Sequence, residues 1–198
     1  MTDHRPTPAL EYWATLPIGE GSLAWDVPYR VALAERIAMM TPESVLEFGC
    51  GAGANLAAIL AQDSRVHVMG LDANPQAVEK GRAHYGFDIR LGDETSLAEM
   101  PRAELGLTVS ALCHIEDPWP ALEALALVTD RQVLVEPRLS SPGLVTRQNA
   151  DGTDPTPFTW SHDYADWLRS KGGKVNIAKY PLSGSRLGPE YRLFTVTW

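Results

Sequence analysis

The sequence predicts an α/β fold with a doubly wound, mostly parallel sheet that ends in an antiparallel strand pair. Up to residue 136, short apolar strand segments alternate with helical segments. A glycine cluster follows the first strand, and near the C-terminus two strand segments follow each other without a helix between them. Alternating strands and helices form right-handed βαβ units around a parallel sheet. Two strands joined by a loop of about ten residues are most simply antiparallel neighbours.

The elements of the first two thirds follow from apolar periodicity and from helix stop signals. Residues 1–28 hold several prolines and aromatics, and we expect an irregular arm there. A helix over residues 29–40 ends at Thr41-Pro42. The predicted strands are Ser44–Phe48, Val66–Leu71, Phe87–Leu91, Leu105–Leu112 and Gln132–Glu136. The predicted helical segments are Ala54–Gln62, Pro75–Tyr85, Ser96–Met100 and Pro118–Val128.

The last third departs from this alternation. Residues 137–157 form a loop rich in Pro, Gly, Ser and Asp, and a loop of that length is usually functional or mobile. Ser161 is expected to cap a helix that runs to Lys171 and ends at a glycine pair. Lys174–Tyr180 and Tyr191–Trp198 are the two final strands.

Composition excludes several classes of protein. The 198 residues fit one domain, and 17 basic against 25 acidic residues give a net charge of -8, which disfavours nucleic-acid binding. Cys50 and Cys113 have no metal-ligand spacing, so we expect neither a metal site nor a disulfide framework. The N-terminus lacks the apolar segment of a signal peptide, and no stretch is long enough to span a membrane. A cytoplasmic protein is predicted.

A glycine cluster and three carboxylates mark a candidate ligand site. Residues 49–53 read Gly-Cys-Gly-Ala-Gly, where bare backbone can turn sharply and approach a ligand. Glu47 precedes the cluster, while Asp72 and Asp93 end the second and third strands. Asp72 suits ribose hydroxyls and Asp93 suits an adenine amine, although each could instead cap a helix or turn. Glu47 would repel a pyrophosphate and therefore favours a cationic ligand.

The segments VLEFGCGAGANL, LDANPQAVEKGRA, LGDETSL and LTVSALCHIEDP resemble successive motifs of class I S-adenosylmethionine-dependent methyltransferases, which have a Rossmann-like fold. The resemblance covers about residues 44–136. It implies that Glu47 and the glycines hold the methionine end, that Asp72 binds the ribose and that Asp93 binds the adenine amine. The cofactor-binding residues it implies are Glu47, Gly49, Cys50, Gly51, Gly53, Asp72, Ala73, Asp93, Glu94 and Leu112.

The resemblance also implies a division of the single domain. Residues 1–40 would be an arm and helix that cover the cofactor site, 41–136 the cofactor-binding core, and 137–198 the loop, helix and terminal strand pair. Aromatic residues of the arm would either form a lid or pack the arm onto the sheet; they are Tyr12, Trp13, Trp25 and Tyr29.

The candidate catalytic residues follow the fourth strand. His114 titrates near neutrality and, with Glu116, is placed to act as a base, but a packing or orienting role for His114 is favoured. A second group of candidates for the acceptor side is Glu136, Arg138, Arg147, His162 and Tyr164. An arginine there would pair with an acidic acceptor.

The function predicted is transfer of a methyl group to a small-molecule or sugar acceptor, with O-methylation favoured over N-methylation. An NAD-dependent oxidoreductase would share the glycine loop and Asp72, but it does not explain Glu47, Asp93 or the terminal strand pair. A non-catalytic protein that binds S-adenosylmethionine is the third reading, since fold alone does not decide function.

Overall fold

The computed structural model describes residues 7–137, 142–144, 158–180 and 191–198. The α-helices are α1 (Pro8–Thr15), α2 (Pro28–Ala38), α3 (Ala54–Gln62), α4 (Pro75–Tyr85), α5 (Trp119–Val128) and α6 (Tyr164–Ser170). The strands are β1 (Ser44–Phe48), β2 (His67–Asp72), β3 (Asp88–Leu91), β4 (Ala103–Val109), β5 (Thr129–Pro137), β6 (Gly143–Leu144), β7 (Trp160–Ser161), β8 (Lys174–Lys179) and β9 (Tyr191–Thr197). Short 3-10 turns cover Glu20–Leu23, Glu94–Glu99 and Leu112–His114.

The main sheet has the strand order β3-β2-β1-β4-β5-β9-β8. The pairs among the first five strands are parallel, whereas β9 lies antiparallel to both β5 and β8. This confirms the predicted doubly wound sheet with an antiparallel terminal pair. The chain order reverses between β1 and β4, and in open α/β sheets ligands bind beyond the carboxyl ends of the strands at this point.

The two faces of the sheet carry two apolar clusters. Successive side chains of a strand point to opposite faces, so Val45 enters one cluster and Leu46 the other. The first cluster includes residues of α2 and α3, and the second includes residues of α5 and α6. Because helices cover both faces, the central strands are buried almost throughout.

The N-terminal arm is not irregular as predicted, because it contains α1. Thr7 caps this helix by accepting a hydrogen bond from the Leu10 amide (3.2 Å), and Pro8 occupies the first helical turn. A threonine followed by proline is a recognisable helix start. The segment is short, with few apolar positions to show a period, so the prolines dominated the sequence pattern.

The end of β4 and the start of α6 also differ from the predictions. β4 ends at Val109 rather than at Leu112, because Ser110 adopts a positive φ of 55° and turns the chain into the 3-10 turn. Ser161 lies in β7 and does not cap α6, which begins at Tyr164 after Asp163. None of the described helices is both long and apolar enough to cross a membrane.

Candidate active site

A cleft of about 530 Å³ opens at the carboxyl ends of β1, β2, β3 and β4. Eight of the predicted site residues line it: Gly49, Gly51, Asp72, Ala73, Asp93, Glu94, His114 and Glu116. The other four predicted residues are not among those that line it: Glu47, Cys50, Gly53 and Leu112. The structure therefore gathers the predicted residues into one region, with some at the surface of the cleft and some supporting it.

The glycine loop turns against the segment that follows β4. Gly49 has a φ of +70°, and a Cβ built on it would lie 2.3 Å from the Cβ of Ala111. Gly51 has a φ of +54°, and a Cβ there would meet nothing within 4 Å. Gly49 is therefore required by close contact within the protein, whereas Gly51 presents bare backbone to the open cleft.

Asp72 holds the glycine loop against the end of β2. Its Oδ2 accepts a hydrogen bond from the Gly51 amide (2.6 Å), and its Oδ1 accepts one from the Asn74 amide (2.8 Å). Burial raises the pKa of the Asp72 carboxyl, and the two backbone donors act in the opposite direction. The cap of α4 is Asn74 and not Asp72, because the Asn74 side chain accepts from Gln76 and Ala77. Asp72 retains acceptor capacity on the side facing the cleft.

Asp93 caps a turn and also lines the cleft. Its Oδ1 accepts hydrogen bonds from the amide of Thr95 (2.9 Å) and from the Thr95 hydroxyl (2.6 Å). It thereby caps the 3-10 turn after β3. It also lines the cleft beside Glu94, so the capping interaction orients a carboxylate at the cleft surface.

Glu47 is completely buried beneath the glycine loop. Its Oε1 accepts a hydrogen bond from the side-chain Nδ2 of Asn55 (2.6 Å), whereas its Oε2 has no hydrogen-bond partner among the described residues. Burial raises the Glu47 pKa to about 8. Arg30 on α2 donates to Asn55 Oδ1 (3.2 Å). The Asn55 side chain therefore lies between the positive charge of Arg30 and the Glu47 carboxyl group. A buried carboxyl oxygen without a partner is uncommon and fits a site for a cationic group.

Glu136 organises the segment between β4 and α5, a role that the sequence did not reveal. Its carboxylate accepts hydrogen bonds from the amides of Ala111, Leu112 and Cys113, each at 3.1 Å, and from the hydroxyl of Thr108, also at 3.1 Å. Burial raises its pKa to about 7 against these four donors. It is fully buried and is therefore a support for the cleft wall, not the acceptor-side residue we considered. A charged residue within the apolar segment QVLVE was its only sequence signal.

His114 has a fixed tautomer. Its Nδ1 lies 3.1 Å from the carbonyl oxygen of Phe158, which only accepts, so Nδ1 carries the proton. Its Nε2 has no partner recorded among the described residues and keeps a free lone pair. The indole of Trp13 lies against the imidazole, with ring centroids 3.9 Å apart and planes inclined by 38°. Burial lowers the pKa of His114 to about 4, so the ring is neutral at pH 7.

The remaining candidate residues for the acceptor side lie in different parts of the structure. Glu116 is exposed at the edge of the cleft, as is Asp117. His162 lies within 3.0 Å of the Ile115 carbonyl and supports that segment, whereas Tyr164 is in the core. Arg138 and Arg147 lie outside the described residues.

Helix α1 forms one wall of the cleft. The lining residues on it and just after it are Leu10, Trp13, Leu16 and Ile18, and Thr7 lines the cleft before it. Tyr12 packs against Phe158, with ring centroids 5.8 Å apart. Of the four aromatics considered for a lid, only Trp13 lines the cleft; Trp25 and Tyr29 do not.

The charge of the cleft is negative. Five carboxyl groups line it: Asp72, Asp93, Glu94, Glu116 and Asp117. No lysine or arginine is among its described lining residues. The pyrophosphate of NAD would face these acids without a basic partner, whereas S-adenosylmethionine carries a sulfonium and an ammonium group. Across the described residues, no cluster of three or more His, Cys, Asp or Glu side chains is arranged to hold a metal ion.

Solved structures share this fold at low sequence identity. DesVI from Streptomyces venezuelae has a TM-score of 0.66 at 14% identity, over 92% of this chain and 99% of that chain. The N-terminal domain of EvdMO1, crystallised in the presence of SAH and D-fucose, has a TM-score of 0.60 at 19% identity, over 94% and 91%. An O-methyltransferase family protein from Burkholderia thailandensis has a TM-score of 0.64 at 14% identity, over 86% and 55%.

This chain therefore has the Rossmann-like fold found in methyltransferases. Residues 45–131 also match a family model described as a methyltransferase domain. A comparison with curated protein sequences gives no match. Both positive comparisons agree with the methyltransferase fold that the sequence predicted.

Proposed function

We propose that this protein transfers the methyl group of S-adenosylmethionine to a hydroxyl oxygen of a small, uncharged acceptor such as a sugar, with His114 as the base. The observation that carries this proposal is the free Nε2 of a neutral imidazole at the cleft wall. The acidic lining supports it further, because a phosphorylated or carboxylated acceptor would be repelled.

The cofactor would be held by the residues that the sequence indicated. Asp72 and Ala73 would bind the ribose and adenine, Asp93 and Glu94 would bind the adenine edge, and Gly49 and Gly51 would bear the methionine end. Four residues that do not line the cleft would complete the cofactor site: Glu47, Cys50, Gly53 and Leu112. The open space above Gly51 and the unpartnered Oε2 of Glu47 fit this assignment. The cofactor supplies an electrophilic methyl group.

His114 would bind and then deprotonate the acceptor hydroxyl. A hydroxyl can donate to Nε2 because Nδ1–H is already committed to the Phe158 carbonyl. As the oxygen is methylated, with S-adenosylhomocysteine as the leaving group, the O–H bond would break and Nε2 would accept the proton. Nε2 is a weak base in its buried setting, so the transfer would occur late, when the hydroxyl has become strongly acidic. Glu116 at the cleft edge would help to hold the acceptor.

We also propose that the protein acts in the cytoplasm and on no nucleic acid. Cys50 and Cys113 are both free thiols in buried positions, which is typical of a protein in a reducing compartment. The acidic cleft offers no phosphate partner among its described residues.

The first experiment is calorimetric titration with S-adenosylmethionine, S-adenosylhomocysteine and NADH. We expect micromolar binding of the first two and none of NADH. Asp72→Ala should weaken binding at least tenfold, because it removes the ribose acceptor and the anchor of the glycine loop. Asp63→Ala, a change at an exposed ion pair, is the matched control. Binding of NADH alone would reject a methyltransferase.

The second experiment screens acceptors by transfer of a radiolabelled methyl group. Uncharged sugars and polyols are compared with their phosphorylated and amino counterparts. Once an acceptor is found, His114→Gln should lower kcat by about 10²–10⁴ with little effect on cofactor affinity. Exclusive methylation of amino compounds, or full activity of His114→Gln, would argue against O-methylation through this base.

A further inference from the structure

Asn74 joins the cofactor side of the cleft to the α1 wall. It is 4% exposed and lies two residues after Asp72, to which its backbone amide donates. Its side-chain Nδ2 donates to the carbonyl oxygens of Trp13 (2.9 Å) and Leu16 (2.8 Å). These partners are separated from it by 61 and 58 residues. One side chain therefore connects the end of β2 with the C-terminal end of α1.

The orientation of this amide is determined by its surroundings. Its Oδ1 accepts from the backbone amides of Gln76 (3.0 Å) and Ala77 (3.1 Å), which can only donate. The nitrogen must then face the two carbonyls of α1, which can only accept. The side chain makes four hydrogen bonds, two donated by Nδ2 and two accepted by Oδ1, and each has a partner of the opposite kind. A side chain of this length with both a donor and an acceptor is needed, and only asparagine provides it.

α1 depends on contacts of this kind. It has only eight residues, and a helix of that length is marginal without tertiary support. The last carbonyls of a helix lack the usual i+4 donor, and those of Trp13 and Leu16 lie at this end. The Trp13 carbonyl accepts a long hydrogen bond from the Leu16 amide (3.4 Å). Asn74 adds a shorter hydrogen bond to that carbonyl and one to the Leu16 carbonyl, at the turn of α1 that carries the Trp13 indole.

We propose that Asn74 is a positioning residue that latches α1 over the cleft and thereby holds the Trp13 indole against His114. The desolvated surroundings of the imidazole then exist only while the latch is closed. When it opens, α1 moves away, His114 meets water, and the cofactor can enter or leave. The contacts of the latch involve neither cofactor nor acceptor, so only the role of His114 and the passage of the cofactor rest on the proposed function.

His114 itself reports the state of the latch. Its pKa of about 4 comes mainly from burial, which the Phe158 carbonyl opposes. The titratable groups on the elements around it are Glu11 and Tyr12 on α1, Glu116 and Asp117 on its own segment, and His162 after Phe158. Opening α1 removes the burial and should return the His114 pKa toward about 6.5.

The decisive experiment is an NMR titration of the five histidine rings in the full chain without ligand, with His114→Gln to assign the His114 signal. Asn74→Asp keeps an oxygen to cap α4 but places a carboxylate oxygen against two carbonyls. We expect its His114 pKa to rise by at least one unit and the α1 amides to exchange about tenfold faster. Asn74→Ser also keeps an oxygen that can cap α4 but loses both donors to α1. It should raise the His114 pKa and speed α1 amide exchange in the same way, and it serves as the second variant if Asn74→Asp folds poorly.

Glu20→Gln is the matched control. The exposed ion pair of Glu20 with Lys80 (2.7 Å) also joins the N-terminal segment to α4, but it does not touch α1. In the Glu20→Gln variant, the His114 pKa should stay near the wild-type value. An unchanged His114 pKa and unchanged α1 exchange in both Asn74 variants would overturn the latch. An equal shift in Glu20→Gln would also overturn it, because general loosening would then explain the effect.

A second measurement separates the latch from the proposed function. S-adenosylhomocysteine should dissociate about tenfold faster from Asn74→Ser than from the wild type. The Asp72 side chain, which is proposed to bind the ribose, is the same in both proteins. If the wild type binds no S-adenosylhomocysteine, the proposed function fails and the NMR result still decides the latch. If it binds and both proteins release it at the same rate, α1 does not gate the cofactor.

Discussion

At the scale of single residues, two buried carboxyl groups have different tasks. Glu136 has four hydrogen-bond donors and fixes the backbone of residues 111–113. Within the part of the chain that the structure describes, Glu47 has one donor, and its other oxygen has no partner. A group with all its partners in the protein supports structure, whereas a group left incomplete is suited to a ligand. This contrast supports the cofactor role proposed for Glu47.

The pH dependence of turnover should reflect His114. The proposed base is the neutral form of His114, so its protonation should abolish activity. With a pKa of about 4, the rate should fall only below a pH of about 5. Trp13→Ala should expose the ring and move this acidic limb upward toward 6.5. Initial rates between pH 4 and 8 test the prediction, with the exposed His67→Gln as control. A wild-type limb near 6.5 would mean that the ring is solvated.

At the scale of elements, the loops after β1 and β4 form one unit. The backbone at Gly49 touches the Ala111 side chain, and Glu136 holds the Ala111 amide. Asp72 holds the glycine loop from its other side through Gly51. The cleft wall is thus set by contacts between consecutive loops of the sheet, each held by a carboxylate from a strand end.

Gly49→Ala should disrupt this unit. The new Cβ would lie 2.3 Å from the Ala111 Cβ at a φ of +70°, and a strained position of this kind costs about 1–3 kcal/mol. We expect lower stability in urea denaturation and at least tenfold weaker binding of S-adenosylhomocysteine. Gly21→Ala is the control, since a Cβ there meets nothing within 4 Å. Equal affinities for wild type and Gly49→Ala would show that the loop contact is not needed for binding.

At the scale of the whole molecule, buried titratable groups make stability depend on pH in both directions. Glu47 and Glu136 have pKa values raised to about 8 and about 7, so the folded state binds their protons more tightly than the unfolded state. Their contribution is present below pH 4.5 and is lost as the pH rises toward 7 and 8. His114 has a lowered pKa, so its contribution is lost as the pH falls from about 6.5 to 4.

The free energy of unfolding should therefore be largest in weakly acidic solution and decline toward pH 8. Urea denaturation at several pH values between 4 and 8 measures this directly. Glu136→Gln should flatten the decline between about pH 4.5 and 7, and His114→Gln should flatten the acidic side. Glu99→Gln, at an exposed surface position, should leave the profile unchanged. A stability that rises steadily to pH 8 would contradict the raised pKa values.

The sequence alone determined most of the fold and predicted several residues that line the cleft. Apolar periodicity placed β1, α3 and α4 at their observed bounds, because these short elements carry their own start and stop residues. The sequence predicted that the glycine loop, Asp72 and Asp93 lie close together. Each stands at the end of a strand, and parallel strands bring those ends to one edge of the sheet.

Only the tertiary structure decided how the cleft is closed. The contact of Asn74 with Trp13 joins residues 61 positions apart, and that of His114 with Phe158 joins residues 44 apart. The donors to Glu136 come from residues 23 to 28 positions away. Local sequence carries the propensity of each segment, but such pairings arise only when the assembled sheet brings distant loops within hydrogen-bonding distance.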